Sequence, residues 1–65
     1  MISCIIIDDE INAREALEKM IKRYFSDKIH VICTAESVKE GVEAINRFKP
    51  EVVFLDIEMP IENGL

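Results

Sequence analysis

The chain has 65 residues, of which 49% are hydrophobic and 32% are charged, and its formal net charge at pH 7 is −5. This balance is typical of a soluble globular domain rather than of a disordered segment. The acidic charge argues against a sequence-independent nucleic-acid binder, which needs a Lys- and Arg-rich face. No apolar run approaches the roughly 20 residues of a membrane span, and the N-terminus lacks a signal-peptide pattern, so we expect a cytoplasmic protein without membrane contact.

The first predicted element is a strand over Cys4–Ile7, a continuous apolar run rich in β-branched residues. Because polar residues do not alternate with apolar ones, the strand is expected to be covered on both faces, as in parallel sheets. From Asn12 to Phe25 the apolar residues instead follow helical spacing, with charged residues on the other face. The apolar face of this predicted helix comprises Ala13, Ala16, Leu17, Met20, Ile21 and Tyr24.

The run Val31–Cys33 predicts a second strand. Ser37 followed by Glu40 forms a capping box that predicts the start of a second helix. Pro50 ends this helix, because proline lacks a backbone N–H and disfavours the helical conformation of the residue before it. Val52–Leu55 is the third predicted strand. The apolar face of the second helix comprises Val38, Val42, Ile45 and Phe48.

The resulting β-α-β-α-β order predicts an α/β fold with right-handed crossovers onto a parallel sheet. Cys4 and Cys33 lie in different apolar runs, without a C-x-x-C pair or a histidine at ligand spacing. We therefore expect two buried, reduced thiols rather than a disulfide or a zinc site. His30 has no evident partner and is expected at an edge or in a loop rather than as a catalytic base.

Acidic residues follow two of the predicted strands: Asp8 and Asp9 end the first, and Asp56 ends the third. Ligands of open α/β sheets gather beyond the carboxyl ends of the strands. If these strands are neighbours, the carboxylates repel, by about 4 kcal/mol for two charges 4 Å apart at an effective dielectric constant near 20. Taken alone, Asp8–Glu10 also fits a solvated turn favoured by the dipole of the following helix. Together with Asp56, it predicts a Mg²⁺ or Mn²⁺ site.

A carboxylate held beside a metal ion can also act as a nucleophile, with an aspartyl phosphate as the intermediate. Gly41 and Gly64 are the only glycines in the chain. Since they form no glycine-rich phosphate-binding loop, we do not expect a nucleotide to bind here.

Two motifs resemble those of the receiver domain of two-component response regulators. "CIIIDDE" (Cys4–Glu10) is similar to its first strand and acidic pair, and "FLDIEMPIENGL" (Phe54–Leu65) is similar to its third strand and following loop, in the D-x-x-M-P-x-x-x-G form. The resemblance covers all 65 residues. It implies a truncated flavodoxin-like, doubly wound parallel sheet with strand order 2-1-3, in which residues 1–65 form the N-terminal half of a domain with order 2-1-3-4-5.

The resemblance also implies roles for individual residues. Asp56 would be the phospho-acceptor and a metal ligand, Asp9 would bind Mg²⁺ directly, Asp8 would act mainly through water, and Glu58 would supply a backbone carbonyl. The donor would be a phosphohistidine on a sensor histidine kinase. The family's Ser/Thr and Lys that contact the phosphoryl group follow strands four and five. Residues 1–65 alone are therefore expected not to be competent for phosphorylation.

The residues of the two motifs most resemble those of regulators with a C-terminal LytTR-type DNA-binding domain. The parent protein is therefore expected to bind DNA and regulate transcription, whereas this segment itself binds no nucleic acid. We expect a phospho-acceptor regulator rather than an enzyme.

Two other classes remain open. An aspartate-nucleophile phosphohydrolase also pairs acids with Mg²⁺, but its D-x-D-x-T/V motif does not match "DDEIN" (Asp8–Asn12). A structural or dimerising fragment without phosphotransfer is the other alternative. We also expect a homodimer through the third strand, because an edge strand leaves backbone N–H and C=O groups unpaired.

Overall fold

The computed structural model of the chain describes residues 1–56, and residues 57–65 lie outside the described range. The elements follow the predicted β-α-β-α-β order, and the strands extend one or two residues beyond each predicted end except at the start of β3, which is as predicted. Neither helix has the length and apolar character that a membrane-crossing helix requires. The elements are β1 (Ile2–Asp8), α1 (Ile11–Tyr24), β2 (Ile29–Ala35), α2 (Val38–Phe48) and β3 (Val52–Asp56).

The three strands form one parallel sheet in the order β2-β1-β3, which confirms the predicted order 2-1-3. Hydrogen bonds at the start of β3 hold its register against β1. The Glu51 backbone N–H donates to the Ser3 hydroxyl and to the Ser3 carbonyl, both at 3.1 Å, and the Ser3 N–H donates to the Glu51 carboxylate at 3.2 Å. Counting forward from this point, Asp8 becomes the cross-strand partner of Asp56.

The core is built around β1, which is covered on both faces as predicted. Cys4 and Ile6 face α1 and contact the buried Ile21. Ile5 and Ile7 face the opposite side, where α2 covers them. Burial of these four β1 side chains is nearly complete, with exposed fractions of 0–3%. The carboxyl end of β1 is therefore a rigid place from which to present polar groups.

The buried face of α1 is narrower than predicted. Ile21 is buried and Leu17 is half-buried, but Met20 and Tyr24 remain 45% and 65% exposed. Among the described residues, α1 packs mainly over β1 and β2. Met20 and Tyr24 lie outside the fully buried part of that contact.

In α2 the buried face is also displaced from the prediction. Gly41 is buried, whereas Val38 and Val42 are 49% and 48% exposed. The cause is the close approach of the helix to Ile7. A Cβ at position 41 would overlap the Ile7 Cδ1 atom and lie 2.8 Å from its Cγ1 atom. The lack of a side chain at Gly41 thus decides which face of the helix meets the sheet.

Both ends of α2 follow the predicted signals. The Ser37 hydroxyl accepts a hydrogen bond from the Glu40 N–H at 3.1 Å, as expected for a capping box. The Glu40 carboxylate, however, accepts a weak bond from the Glu36 N–H at 3.4 Å instead of binding the N-cap N–H. The helix ends in a left-handed residue, Lys49, with φ of 49°, directly before Pro50.

Candidate functional site

The carboxyl ends of β1 and β3 bring acidic side chains to one edge of the sheet. Asp8 and Asp56 are cross-strand partners in adjacent parallel strands. Asp8 is 5% exposed, whereas Asp56 and Asp9 are exposed to solvent. The predicted meeting of the acidic pair with the third-strand aspartate is therefore present in the fold.

Hydrogen bonds fix Asp8 through both its side chain and its backbone. Its carboxylate accepts the Glu10 N–H at 2.9 Å, which closes the turn between β1 and α1. Its carbonyl oxygen accepts a bond from the Arg14 guanidinium at 2.8 Å. Glu10 in turn caps α1, because its carboxylate accepts the Ala13 N–H at 2.9 Å. The acidic turn is thus a hydrogen-bonded structure and not a loose solvated segment.

A cleft of about 230 Å³ opens at this edge of the sheet. All four of its titratable lining residues are acidic, and like charges on directly opposed strand positions destabilise a sheet. A bound cation would relieve this repulsion. The cleft is lined by Asp8, Asp9, Glu10, Ala13 and Asp56.

Carboxylate oxygens are the donors that small hard dications such as Mg²⁺ prefer, so Asp8, Asp9 and Asp56 fit such an ion chemically. Within residues 1–56, no three acidic, histidine or cysteine side chains stand close enough together to enclose a metal ion. The fourth predicted ligand, the carbonyl of Glu58, lies outside the described residues.

The cysteines and the histidine lie away from the cleft. Cys4 and Cys33 are both free thiols, as predicted, and burial raises the pKa of each. Cys4 is fully buried and Cys33 is half-buried. His30 is exposed on β2, which agrees with the expected edge or loop position.

Sequence reasoning missed the part that Arg14 and Glu10 have in the site. Helical spacing places Arg14 on the charged face of the predicted helix without a role of its own, and the acidic turn Asp8–Glu10 gives Glu10 no role beyond its charge. Two local signals point to them. Glu10 directly precedes the helix, where a carboxylate can cap backbone N–H groups, and Arg14 places a cation near a helix N-terminus, where the helix dipole disfavours it.

Comparison with known proteins agrees with this geometry. The model of the response regulator receiver domain family matches residues 4–65. An uncharacterized response regulatory protein of Vibrio cholerae serotype O1 is 46% identical over 65 residues, which is 100% of this chain and 27% of that protein. A protein-glutamate methylesterase/protein-glutamine glutaminase of Methanococcoides burtonii is 43% identical over 100% of this chain and 18% of that protein.

An uncharacterized response regulatory protein of Yersinia pestis is 42% identical over 100% of this chain and 26% of that protein. The chain therefore spans less than a third of the length of these relatives. No solved structure matches it significantly. The parallel sheet of order 2-1-3, with one helix on each face, has the arrangement of a flavodoxin-like receiver fold. From the family match and the fold together, the chain belongs to the response regulator receiver domain family.

Proposed function

We propose that this chain is the phospho-acceptor module of a two-component system, and that Asp56 receives a phosphoryl group from a phosphohistidine of a sensor histidine kinase. The observation that carries the proposal is the pairing of an exposed Asp56 with a buried, hydrogen-bonded Asp8 in one acidic cleft. In the transfer, an Asp56 oxygen forms a bond to phosphorus while the bond from phosphorus to the imidazole nitrogen breaks. The products are an aspartyl phosphate and the free histidine.

Asp8, Asp9, Asp56 and the Glu58 carbonyl form the proposed Mg²⁺ site, which could also accept Mn²⁺. Asp9 and Asp56 would hold the ion directly, and Asp8 would act mainly through water. When bound, the ion offsets the negative charge of the phosphoryl oxygens. The donor chemistry and the mutual repulsion of the carboxylates support this assignment.

The protein's own part in the reaction is positioning, which supplies much of the catalysis of phosphoryl transfer. Strand β3 places Asp56 in the lining of the cleft and exposed to solvent, where a donor can approach it. The turn after β1 holds Asp8 through the Glu10 N–H and the Arg14 guanidinium. Asp8 is thus held in place, while Asp56 is left accessible to attack the phosphoryl group.

We further propose that residues 1–65 correspond to the N-terminal half of a receiver domain and that the whole protein acts in the cytoplasm. A C-terminal LytTR-type DNA-binding domain, and hence transcription regulation, remains a prediction from the motifs. The methylesterase relatives, at 43% and 42% identity, favour a second candidate in which the receiver controls an enzyme. The reading frame that follows Leu65 distinguishes the two outputs.

A structural or dimerising role without phosphotransfer is the alternative to signalling. The exposed β3, with Leu55 63% exposed, favours self-association of this segment. A homodimer through β3 is compatible with phosphotransfer as well, so it does not by itself separate the two functions. An aspartate-nucleophile phosphohydrolase is disfavoured, since the receiver family model covers residues 4–65.

Metal binding is the first test of the proposed function. In an NMR titration with MgCl₂ alone, we expect weak binding, in the millimolar range of loosely organised oxygen sites. Asp9→Asn and Asp56→Asn should each weaken it. Asp27→Asn is the matched control, because Asp27 is exposed in the loop after α1 and its substitution removes the same charge. If the two site variants bind Mg²⁺ as well as the parent, the proposed cluster is wrong.

Phosphorylation is the second test. Intact mass after incubation with a small acyl phosphate and Mg²⁺ should show labelling of the longer protein that depends on Asp56. The 65-residue chain alone should accumulate little stable phosphate, because the resemblance assigns the Lys and Ser/Thr contacts to later strands. Strong, Asp56-dependent labelling of the 65-residue chain would show that the acidic cleft suffices.

A further inference from the structure

Arg14 is a cation at a position that a helix ordinarily disfavours. It is the fourth residue of α1, and its backbone N–H bonds to the Glu10 carbonyl in the first turn at 2.9 Å. The positive end of the helix dipole lies there and opposes a positive side chain. The first turn carries no acidic residue that would offset this repulsion within the helix. An interaction outside the helix must therefore account for the position of the guanidinium.

That interaction is with the backbone of β1. The Arg14 Nη1 atom donates to the carbonyl oxygen of Asp8 at 2.8 Å. Although the nearby cleft is acidic, Arg14 forms no ion pair; the pair found within residues 1–56 joins Lys22 and Glu18. The planar guanidinium has donors in fixed directions, so a bond to one carbonyl also orients the peptide group that carries it.

The carbonyl in question belongs to the peptide group between Asp8 and Asp9. The Glu10 N–H holds the Asp8 side chain at 2.9 Å, and Arg14 holds the peptide plane that follows. Orienting this plane also orients the Cα–Cβ bond of Asp9, which lines the cleft without a constraint of its own from these bonds. Arg14 is thus placed to control the geometry of a residue that it does not touch.

We propose that Arg14 is a positioning residue of the cation site: by holding the Asp8 carbonyl, it pre-orients the Asp9 carboxylate for a divalent cation. This inference rests on the proposed function. It adds a residue from α1 to a site otherwise built from the ends of β1 and β3. Partners that orient metal ligands from outside the coordination shell typically change metal affinity by about 10- to 100-fold when they are replaced.

Charge and positioning predict opposite results for the removal of Arg14. A positive charge near the cleft repels a dication, so its loss should strengthen Mg²⁺ binding if only Coulomb energy matters. Loss of the oriented Asp8 carbonyl should weaken binding instead. Arg14→Gln removes both the charge and the fork of donors, whereas Arg14→Lys keeps the charge and removes the fork. The sign of the change therefore identifies the role.

The experiment is an NMR titration of the chain with MgCl₂ alone, for the parent, Arg14→Gln, Arg14→Lys and a control. Arg23→Gln is the matched control, because Arg23 is exposed in the last turn of α1 and its loss changes the net charge equally. We expect about tenfold weaker binding for both Arg14 variants and unchanged binding for the control. Stronger or unchanged binding in Arg14→Gln, or parent-like binding in Arg14→Lys, would overturn the proposal.

A second readout without metal separates this inference from the proposed function. The ¹³C resonance of the Asp8 carbonyl and the amide resonance of Asp9 should shift in both Arg14 variants and not in Arg23→Gln. If the parent binds no Mg²⁺, the proposed metal site fails, and these shifts still test the contact. Unchanged resonances in Arg14→Lys would overturn the inference. Loss of the fold in both variants would do the same, since Arg14 would then be a residue of the fold itself.

Discussion

Two apolar strand segments of similar character, Cys4–Ile7 in β1 and Val52–Leu55 in β3, have opposite environments in the structure. Ile7 and Leu55 are cross-strand partners, yet they are 3% and 63% exposed. Strand β1 has a neighbouring strand on each side and a helix over each face. Within residues 1–56, β3 pairs with β1 alone, and Phe54 is its residue packed against the core. Position in the sheet therefore decides burial, and the composition of the strand does not.

The same contrast extends to the acids that end the two strands. Asp8 follows the buried strand and is held by hydrogen bonds from Glu10 and Arg14. Asp56 follows the exposed strand and is itself exposed. The proposed phospho-acceptor site needs both properties, a fixed geometry and an accessible acceptor. Adjacent strands of unequal burial supply them together.

The largest expected effect comes from truncating one aliphatic side chain in each of the two strands, β1 and β3. Isoleucine and leucine are isomers, so Ile7→Ala and Leu55→Ala remove equal volumes from cross-strand partners. Ile7→Ala should lower the free energy of unfolding by about 2–5 kcal/mol, as for buried aliphatic truncations. Leu55→Ala should change it by about 0.5 kcal/mol or less, as at exposed sites. Urea denaturation measures both, and equal losses would show that β3 is as well packed as β1.

A second prediction concerns the close approach of α2 to β1. Gly41→Ala should destabilise the fold by about 1–3 kcal/mol through overpacking against Ile7, despite a gain of about 1 kcal/mol in helix propensity. Adding Ile7→Val, which removes the Cδ1 atom, should restore part of the loss in a double-mutant cycle. Additive effects of the two substitutions would mean that the Ile7 side chain does not set the helix position.

The exposed edge of β3 leads to a third prediction. The 65-residue chain should self-associate at micromolar concentration, most simply through a two-fold contact between third strands. Leu55→Lys should shift the sedimentation equilibrium toward the monomer, because charged residues on an edge strand oppose pairing. Val42→Lys is the control, on an exposed apolar site of α2. A compact parent monomer with a cooperative circular-dichroism melt would contradict this prediction.

The smallest effect is expected from the two thiols, of which Cys4 is buried and Cys33 is half-buried. Burial raises the pKa of Cys4 and of Cys33 in the folded chain. Thiols of the unfolded chain ionise above about pH 8.5. In the folded state the thiols stay protonated to a higher pH. The thiol contribution to stability is therefore complete below that pH and is lost as the pH rises through the folded pKa. The urea concentration at the unfolding midpoint should therefore decrease as the pH is raised through this alkaline range.

Cys4→Ala compared with Cys33→Ala shows which thiol accounts for the alkaline loss. The unfolding free energy of each variant is measured from neutral to alkaline pH. Its decrease with pH should be the part that the remaining thiol causes. In the folded parent, a thiol reagent should modify the half-buried Cys33 before the fully buried Cys4. Faster modification of Cys4 would indicate that β1 opens more readily than its burial implies.

The sequence by itself determined the elements and pointed to the carboxyl ends of two strands as the candidate site. Apolar runs predicted all three strands, Ser37 and Pro50 predicted the bounds of α2, and the acids at Asp8, Asp9 and Asp56 predicted where chemistry would be located. These features depend on neighbouring residues, on backbone geometry and on local hydrogen bonds, so they can be read from short stretches of the chain.

Only the tertiary structure decided how deeply each strand is buried and which groups hold the acids. Leu55 is as apolar as Ile7, and the composition of the two strands does not separate them, because burial depends on elements distant in sequence; the order 2-1-3 came from the resemblance. The buried face of α2 depends on Gly41 meeting Ile7, 34 positions earlier. The bond from Arg14 to the Asp8 carbonyl depends on how α1 leaves the sheet. Such contacts are set when the elements pack together, which no local pattern records.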